Sequence, residues 1–128
     1  MATFQGITWH AIVVDADEFD AQKNFIINSY GVSPAMEMDN VSVFYFPNGD
    51  VFELYTPETV MPWGLNDGVA FGFRVDDVAE AAQQLEAAGA ELLGEIARFP
   101  EYDYAWQHFR GIDGKVYGIN ENKPQPSA

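Results

Sequence analysis

The chain has 128 residues, enough for one compact domain or for two small modules sharing a core, and 48 % of them are apolar. Its formal charge is −14 with only six Lys and Arg, which argues against nucleic acid and anionic membrane as partners, since both need basic surface. There is no cysteine, so disulfides, thiolate metal sites and a Cys nucleophile are excluded. No apolar run approaches the roughly 18–20 residues of a membrane span. Met1 to Gln5 has neither the basic start nor the apolar run of a secretory signal, so a cytoplasmic location is expected.

In chain order, Ile7 to Val14 is β-branched, aromatic or apolar and predicts a strand. Asp15-Ala16-Asp17 then offers capping carboxylates for a helix from about Glu18 to Tyr30, with Phe19, Phe25, Ile26 and Tyr30 as its apolar stripe and Gly31 closing it. Three short strands follow, near Ser33–Met38, Val41–Phe46 and Val51–Tyr55, with turns at Asp39-Asn40 and Asn48-Gly49. Asn48-Gly49 suits a two-residue hairpin that needs positive φ. The strand after it has an unusual pattern: Phe52 and Leu54 share one face, while Val51, Glu53 and Tyr55 share the other. A carboxylate between an apolar and an aromatic neighbour suggests a face turned to a cleft.

Thr59 to Gly68, with Pro62, Gly64, Asn66-Asp67 and Gly68, reads as a linker. The order then repeats. Val69–Val75 predicts a strand and Asp76-Asp77 a helix cap. Val78, Ala81, Ala82, Leu85 and Ala88 lie at helical spacing, ended by Gly89. Strands are expected near Ala90–Phe99, Ala105–Arg110 and Lys115–Asn120. The last of these echoes the Glu53 strand: Gly49 aligns with Gly114, Phe52 with Tyr117, Leu54 with Ile119, and Glu53 with Gly118. The expected organisation is module 1 at 1–58, a linker at 59–68, module 2 at 69–122 and a disordered tail at 123–128.

This doubled strand–helix–three-strand order, with Phe73-Arg74-Val75-Asp76-Asp77-Val78, Ala87-Ala88-Gly89 and Arg110-Gly111-Ile112-Asp113-Gly114, resembles the vicinal oxygen chelate superfamily. That group holds glyoxalases, extradiol dioxygenases and bleomycin- and fosfomycin-resistance proteins. The chain departs from the common Asp-Pro-Asp-Gly form at Gly111 and Ile112. The resemblance implies an α+β fold in which two βαβββ modules form curved mixed sheets around a shared cavity, commonly in a homodimer.

Metal-dependent members of that superfamily take ligands from the first and last strands of each module. Glu53 matches one such position, whereas Gly118 and Ala70 have no group to coordinate. The fourth position is Trp9 if Ala11 is equivalent to Gly72, and His10 after a slip of one residue, which reverses the faces. A metal-binding alternative uses His10, Glu53 and His108, since a catalytic divalent ion takes about three protein ligands. No serine-triad motif, phosphate loop or dinucleotide fingerprint is present.

The aromatic residues Trp9, Tyr55, Trp63, Tyr102, Tyr104 and Trp106 lie at strand starts, in the linker or on cavity faces, and suit a partly wet pocket that stacks a flat ligand. With Glu53 and His108 they form the expected ligand-binding set, Glu53 being also the candidate catalytic base. Phe52, Phe73, Phe109 and Tyr117 are assigned to the core. The function expected is a metal-free protein binding a drug or metabolite, similar to bleomycin-resistance proteins. Its ligand is aromatic and neutral or cationic, and no cofactor is required. The alternative is a metal-dependent lyase, isomerase or dioxygenase similar to glyoxalases and extradiol dioxygenases.

Overall fold

The computed structural model describes residues 1–121, so the tail expected at 123–128 lies outside the described residues. Eight strands and two helices run in the order β1 (Phe4–Val13), α1 (Phe19–Tyr30), β2 (Pro34–Met38), β3 (Val41–Tyr45), β4 (Val51–Tyr55), β5 (Ala70–Val75), α2 (Val78–Ala87), β6 (Glu91–Phe99), β7 (Tyr104–Arg110) and β8 (Val116–Glu121). The βαβββ unit therefore occurs twice. The two units join through β1 and β5, which pair antiparallel, and all eight strands share one mixed sheet in the order β2-β3-β4-β1-β5-β8-β7-β6. The two curved sheets foreseen from the sequence are thus one continuous sheet, read identically outward from the β1–β5 seam. Among the described residues no helix is long and apolar enough to cross a membrane.

Each helix covers its own half of one sheet face. Phe19 and Ile26 of α1 pack on Phe44 and Leu54. Val78, Ala81 and Ala82 of α2 pack with Val75, Phe109 and Ile119. The apolar stripe of α1 is narrower than its composition suggests: Phe25 is 53 % exposed and Tyr30 51 %. Phe25 lies about 120° round the helix from Phe19, and Tyr30 ends the last turn. No side chain caps the start of this helix; a 3-10 turn at Ala16–Glu18 leads into it, and Glu18 N–H donates to the Asp15 carbonyl. The second helix is capped as its sequence implies, Asp77 accepting from Glu80 N–H at 3.0 Å.

The turn between β3 and β4 differs from the two-residue hairpin its Asn-Gly pair suggests. Phe46 N–H donates to Asp50 O and Gly49 N–H to Phe46 O, so Pro47, Asn48 and Gly49 form a three-residue loop, with positive φ at Gly49 (88°) and not at Asn48. Pro47 explains this, because its fixed φ favours the second position of a type I turn and leaves the left-handed residue to the glycine.

At the seam the two halves approach closely. A Cβ on Gly72 would lie 2.6 Å from the backbone oxygen of Gly118. Backbone cannot yield as a side chain does, so Gly72→Ala is expected to cost about 3 kcal/mol in urea unfolding. Gly118→Ala, whose Cβ meets only a ring edge at 3.1 Å, should cost less. Equal losses at the two positions would contradict the close approach.

Candidate functional site

Strand registers settle which residues are equivalent across the seam. In β1 and β4, Ala11 pairs with Glu53; in β5 and β8, Gly72 pairs with Gly118. Ala11 therefore corresponds to Gly72, Trp9 to Ala70, Glu53 to Gly118 and Tyr55 to Asn120. Trp9 lies on the face opposite the helices, buried with Ala11, Val41, Val43, Val51 and Ala70. Its ring rests over Gly118, with Cε3 3.1 Å from the site of the missing Cβ. Its Nε1–H donates to Glu53 Oε1 at 2.8 Å.

Glu53 is the centre of the site. The Tyr55 hydroxyl also donates to its Oε1, at 2.5 Å. Burial pushes the Glu53 carboxyl above the ordinary carboxylate range, against the pull of these two donors. The phenols of Tyr45, Tyr55 and Tyr104 are raised as well, first by burial and then by the charge of Glu53. Tyr104 Oη accepts from Asn120 Nδ2 at 2.9 Å.

On the module 2 side, His108 lies between two indoles, its ring centroid 4.8 Å from Trp9 and 4.7 Å from Trp106. Trp63 reaches in from the linker, meets His108 edge-on and donates from Nε1 to its Nδ1 at 2.9 Å. The neutral ring therefore carries its proton on Nε2. Burial lowers the His108 pKa to about 4. The linker is fixed further by Asn66, which pairs with both backbone groups of Val116 at 2.8 Å.

The structure thus brings together Trp9, Glu53, Tyr55, Trp63, Tyr104, Trp106 and His108. Tyr102 does not join them; it sits on the 3-10 turn at Pro100–Tyr102 and is 69 % exposed. His10 points to the other face, where its Nδ1 meets Val51 O at 3.2 Å and it borders an open hollow with Phe46, Asp50, Phe52 and Val69. Two members of the set escaped the sequence reading. Tyr45 follows Val43, the partner of Glu53, by two residues, and Asn120 is the equivalent of Tyr55 across the seam. The strand alternation that singled out Glu53 would have found both.

The residues do not fit the metal that the fold's metalloenzymes carry. Of the four positions that the resemblance implies for metal ligands, Trp9, Glu53, Ala70 and Gly118, only Glu53 has a metal-binding group, and the indole of Trp9 fills the space over Gly118. The alternative set of His10, Glu53 and His108 is split, since His10 lies on the opposite face. Among the described residues no three His, Asp or Glu side chains are grouped as a metal site needs.

No family profile and no curated protein sequence matches the chain. Solved structures do. A Mn(II)-bound glyoxalase from Novosphingobium aromaticivorans superposes with a TM-score of 0.74 at 19 % identity, covering 99 % of this chain and 42 % of that one. Methylmalonyl-CoA epimerase from Mycobacterium tuberculosis gives 0.69 at 18 % identity, covering 94 % and 90 %. A variant of homoprotocatechuate 2,3-dioxygenase from B. fuscum gives 0.68 at 14 % identity, covering 94 % and 33 %. The chain spans less than half the length of the glyoxalase and of the dioxygenase. All three belong to the vicinal oxygen chelate superfamily, and the chain has their fold.

Titrations of Glu53 and His108 carry opposite signs. A carboxyl whose pKa is raised on folding loses stability as pH climbs from its unfolded value, about 4.3, through the folded one. Glu53→Gln should therefore raise the neutral-pH Tm by about 3–6 °C, a gain that vanishes towards acid. A histidine held below its unfolded value loses stability as pH falls from roughly 6.5 to the folded value. The His108 ring resonances in an NMR titration should accordingly stay at their neutral positions until about pH 4.

Proposed function

We propose that the face carrying Glu53 binds a small molecule, a drug or metabolite, without a metal ion. The observation that carries this reading is the Trp9 indole, which fills the Gly118 corner and donates to the single acid left at the ligand positions. A ring in that place removes space that an ion and its waters would need. What remains is a set of aromatic side chains with polar tips, Tyr55 on the Glu53 carboxylate, Trp63 and Trp106 against His108, with Tyr45 and Tyr104 beside them. Such a set favours stacking of a flat ligand over an extended web of hydrogen bonds. The net charge of −14 favours neutral or cationic ligands over anions. A cytoplasmic, homodimeric protein agrees with this reading. Support for the dimer comes from the helix-side face along the seam, where Phe4 and Ile7, 39 % and 46 % exposed, adjoin the edge-to-face rings of Phe73 and Phe71.

Purified protein is expected to hold no stoichiometric Zn, Ni, Mn or Fe by elemental analysis, and a chelator should leave its Tm unchanged. One tightly held metal per chain, lost in Glu53→Ala, would overturn the reading. In a screen of aromatic compounds, cationic and neutral ones should quench tryptophan fluorescence, and Trp9→Ala should weaken binding more than Phe52→Leu. Tighter binding by anionic aromatics would remove the electrostatic part of the argument. Sedimentation as monomer alone at micromolar concentration would remove the dimer.

A further inference from the structure

We infer that His108 determines the specificity of this face, its Nε2–H donating to the carbonyl oxygen of a neutral aromatic ligand. This rests on the metal-free binding reading and narrows it to one chemical class, aromatic carbonyl compounds. The starting point is how the imidazole is held. His108 alternates along β7 with Gln107 and Phe109, and Phe109 packs with α2. His108 therefore stands on the face opposite the helices, where Trp9 lies. Its ring centroid is 4.8 Å from Trp9 at a tilt of 35°, and 4.7 Å from Trp106 at 43°. Trp63 meets it edge-on, at 84°. Three indoles against one small ring leave it little freedom to turn.

The same contacts choose its tautomer. An indole N–H can only donate, so the 2.9 Å bond from Trp63 Nε1 requires a lone pair on Nδ1 and puts the proton of the neutral ring on Nε2. Burial lowers the pKa to about 4, so Nε2–H is an uncharged donor at neutral pH. The chain gives this donor nothing to bond: among the described residues it has no acceptor. Nor is it sealed in. The polar side-chain atoms buried without a partner among the described residues are Ser42 Oγ, Gln107 Oε1 and Asn120 Oδ1, and His108 Nε2 is not one of them. Solvent therefore reaches this atom, although the residue as a whole is 6 % exposed. A donor fixed in orientation, uncharged and open at one point is preorganised for one acceptor. An anionic acceptor is opposed by the net charge of −14 and by a ring that does not take up a proton. A carbonyl oxygen is uncharged, and when conjugated to an aromatic ring it lies in the ring plane, so the ligand stays flat against the indoles. Trp63 is then a positioning residue, acting on the ligand through the His108 tautomer.

Long-range 1H–15N NMR spectra of the whole chain at neutral pH test this, with acetophenone and ethylbenzene as probes of similar shape. The chain has two histidines, and His10, on the opposite face, serves as the internal reference. His108 should show the Nε2–H tautomer, and acetophenone should move its Nε2 resonance while ethylbenzene and the His10 signals show no such change. His108→Phe should weaken acetophenone about tenfold and leave ethylbenzene within about threefold of its original affinity. Trp63→Phe should raise the share of the Nδ1–H tautomer and weaken acetophenone more than ethylbenzene. Should His108→Phe not fold, the wild-type spectra decide alone. A dominant Nδ1–H tautomer, a Nε2 resonance indifferent to bound acetophenone, or equal losses of both probes in His108→Phe would overturn the inference while small-molecule binding stands. No binding of either probe at millimolar concentration overturns it too, and the wider aromatic screen then decides the reading beneath it.

Discussion

The contact of the Trp9 ring with Gly118 is the constraint on which the rest of the site depends. A buried indole removes roughly 150–250 Å² from water, which at about 25 cal/mol per Å² is some 4–6 kcal/mol. A hydrogen bond to a charged group contributes about 1.5–3 kcal/mol net. Packing therefore fixes the ring, and the carboxylate follows it. With the ring seated, its N–H lies 2.8 Å from Glu53 Oε1 and its other side supports His108. A methyl at position 118 would press on the ring at 3.1 Å, and a larger side chain would compete with it for the same space. The absence of a Cβ there is as much a part of the site as any group in it.

The two modules share a backbone plan and divide the volume unequally. Across the seam, Trp9 corresponds to Ala70, Glu53 to Gly118 and Tyr55 to Asn120. In each pair the larger residue belongs to module 1. Large facing small is how a close-packed interior reconciles two equivalent surfaces that meet along one axis. The chemical result is an asymmetric site: module 1 brings the acid and its donors, while module 2 brings space, a neutral histidine and an unpaired amide oxygen.

Much of this was legible in the sequence because it depends on periods and glycines. The doubled element order, the alternation that turns Glu53 away from Phe52 and Leu54, and the match of Glu53 with Gly118 all follow from two-residue spacing on aligned strands. The slip between Trp9 and His10 remained open, since both registers are equally good as local patterns; only the parallel pairing of Ala11 with Glu53 decides it. Tyr102 looks like its aromatic neighbours in sequence yet sits on an exposed turn, because Asp103 takes positive φ directly after it and redirects the chain. The role of the linker was hidden for a related reason. Trp63 reaches His108 by crossing Gly94, where φ is positive and β6 departs from its register with β7. No local pattern encodes a contact made across that distance.

One desolvated ring cluster acts on two titratable groups in opposite directions. It raises the carboxyl of Glu53 and lowers the imidazole of His108, because burial penalises whichever form is charged. Without a ligand the cluster thus favours its neutral state on both sides of the seam. It cannot reach that state by pairing the two groups: His108 accepts from Trp63 at Nδ1, and Glu53 is engaged by Trp9 and Tyr55. Each group is instead held neutral or satisfied by aromatic donors that carry no charge. An incoming cation changes this balance for Glu53 alone, by supplying the opposite charge that no protein group provides among the contacts of its carboxylate. An incoming anion has no such partner, since His108 resists protonation and the surrounding surface is acidic. The proposed preference for a neutral or cationic ligand rests on which of these two groups can accept a counter-charge, and the packing of Trp9 leaves that to Glu53.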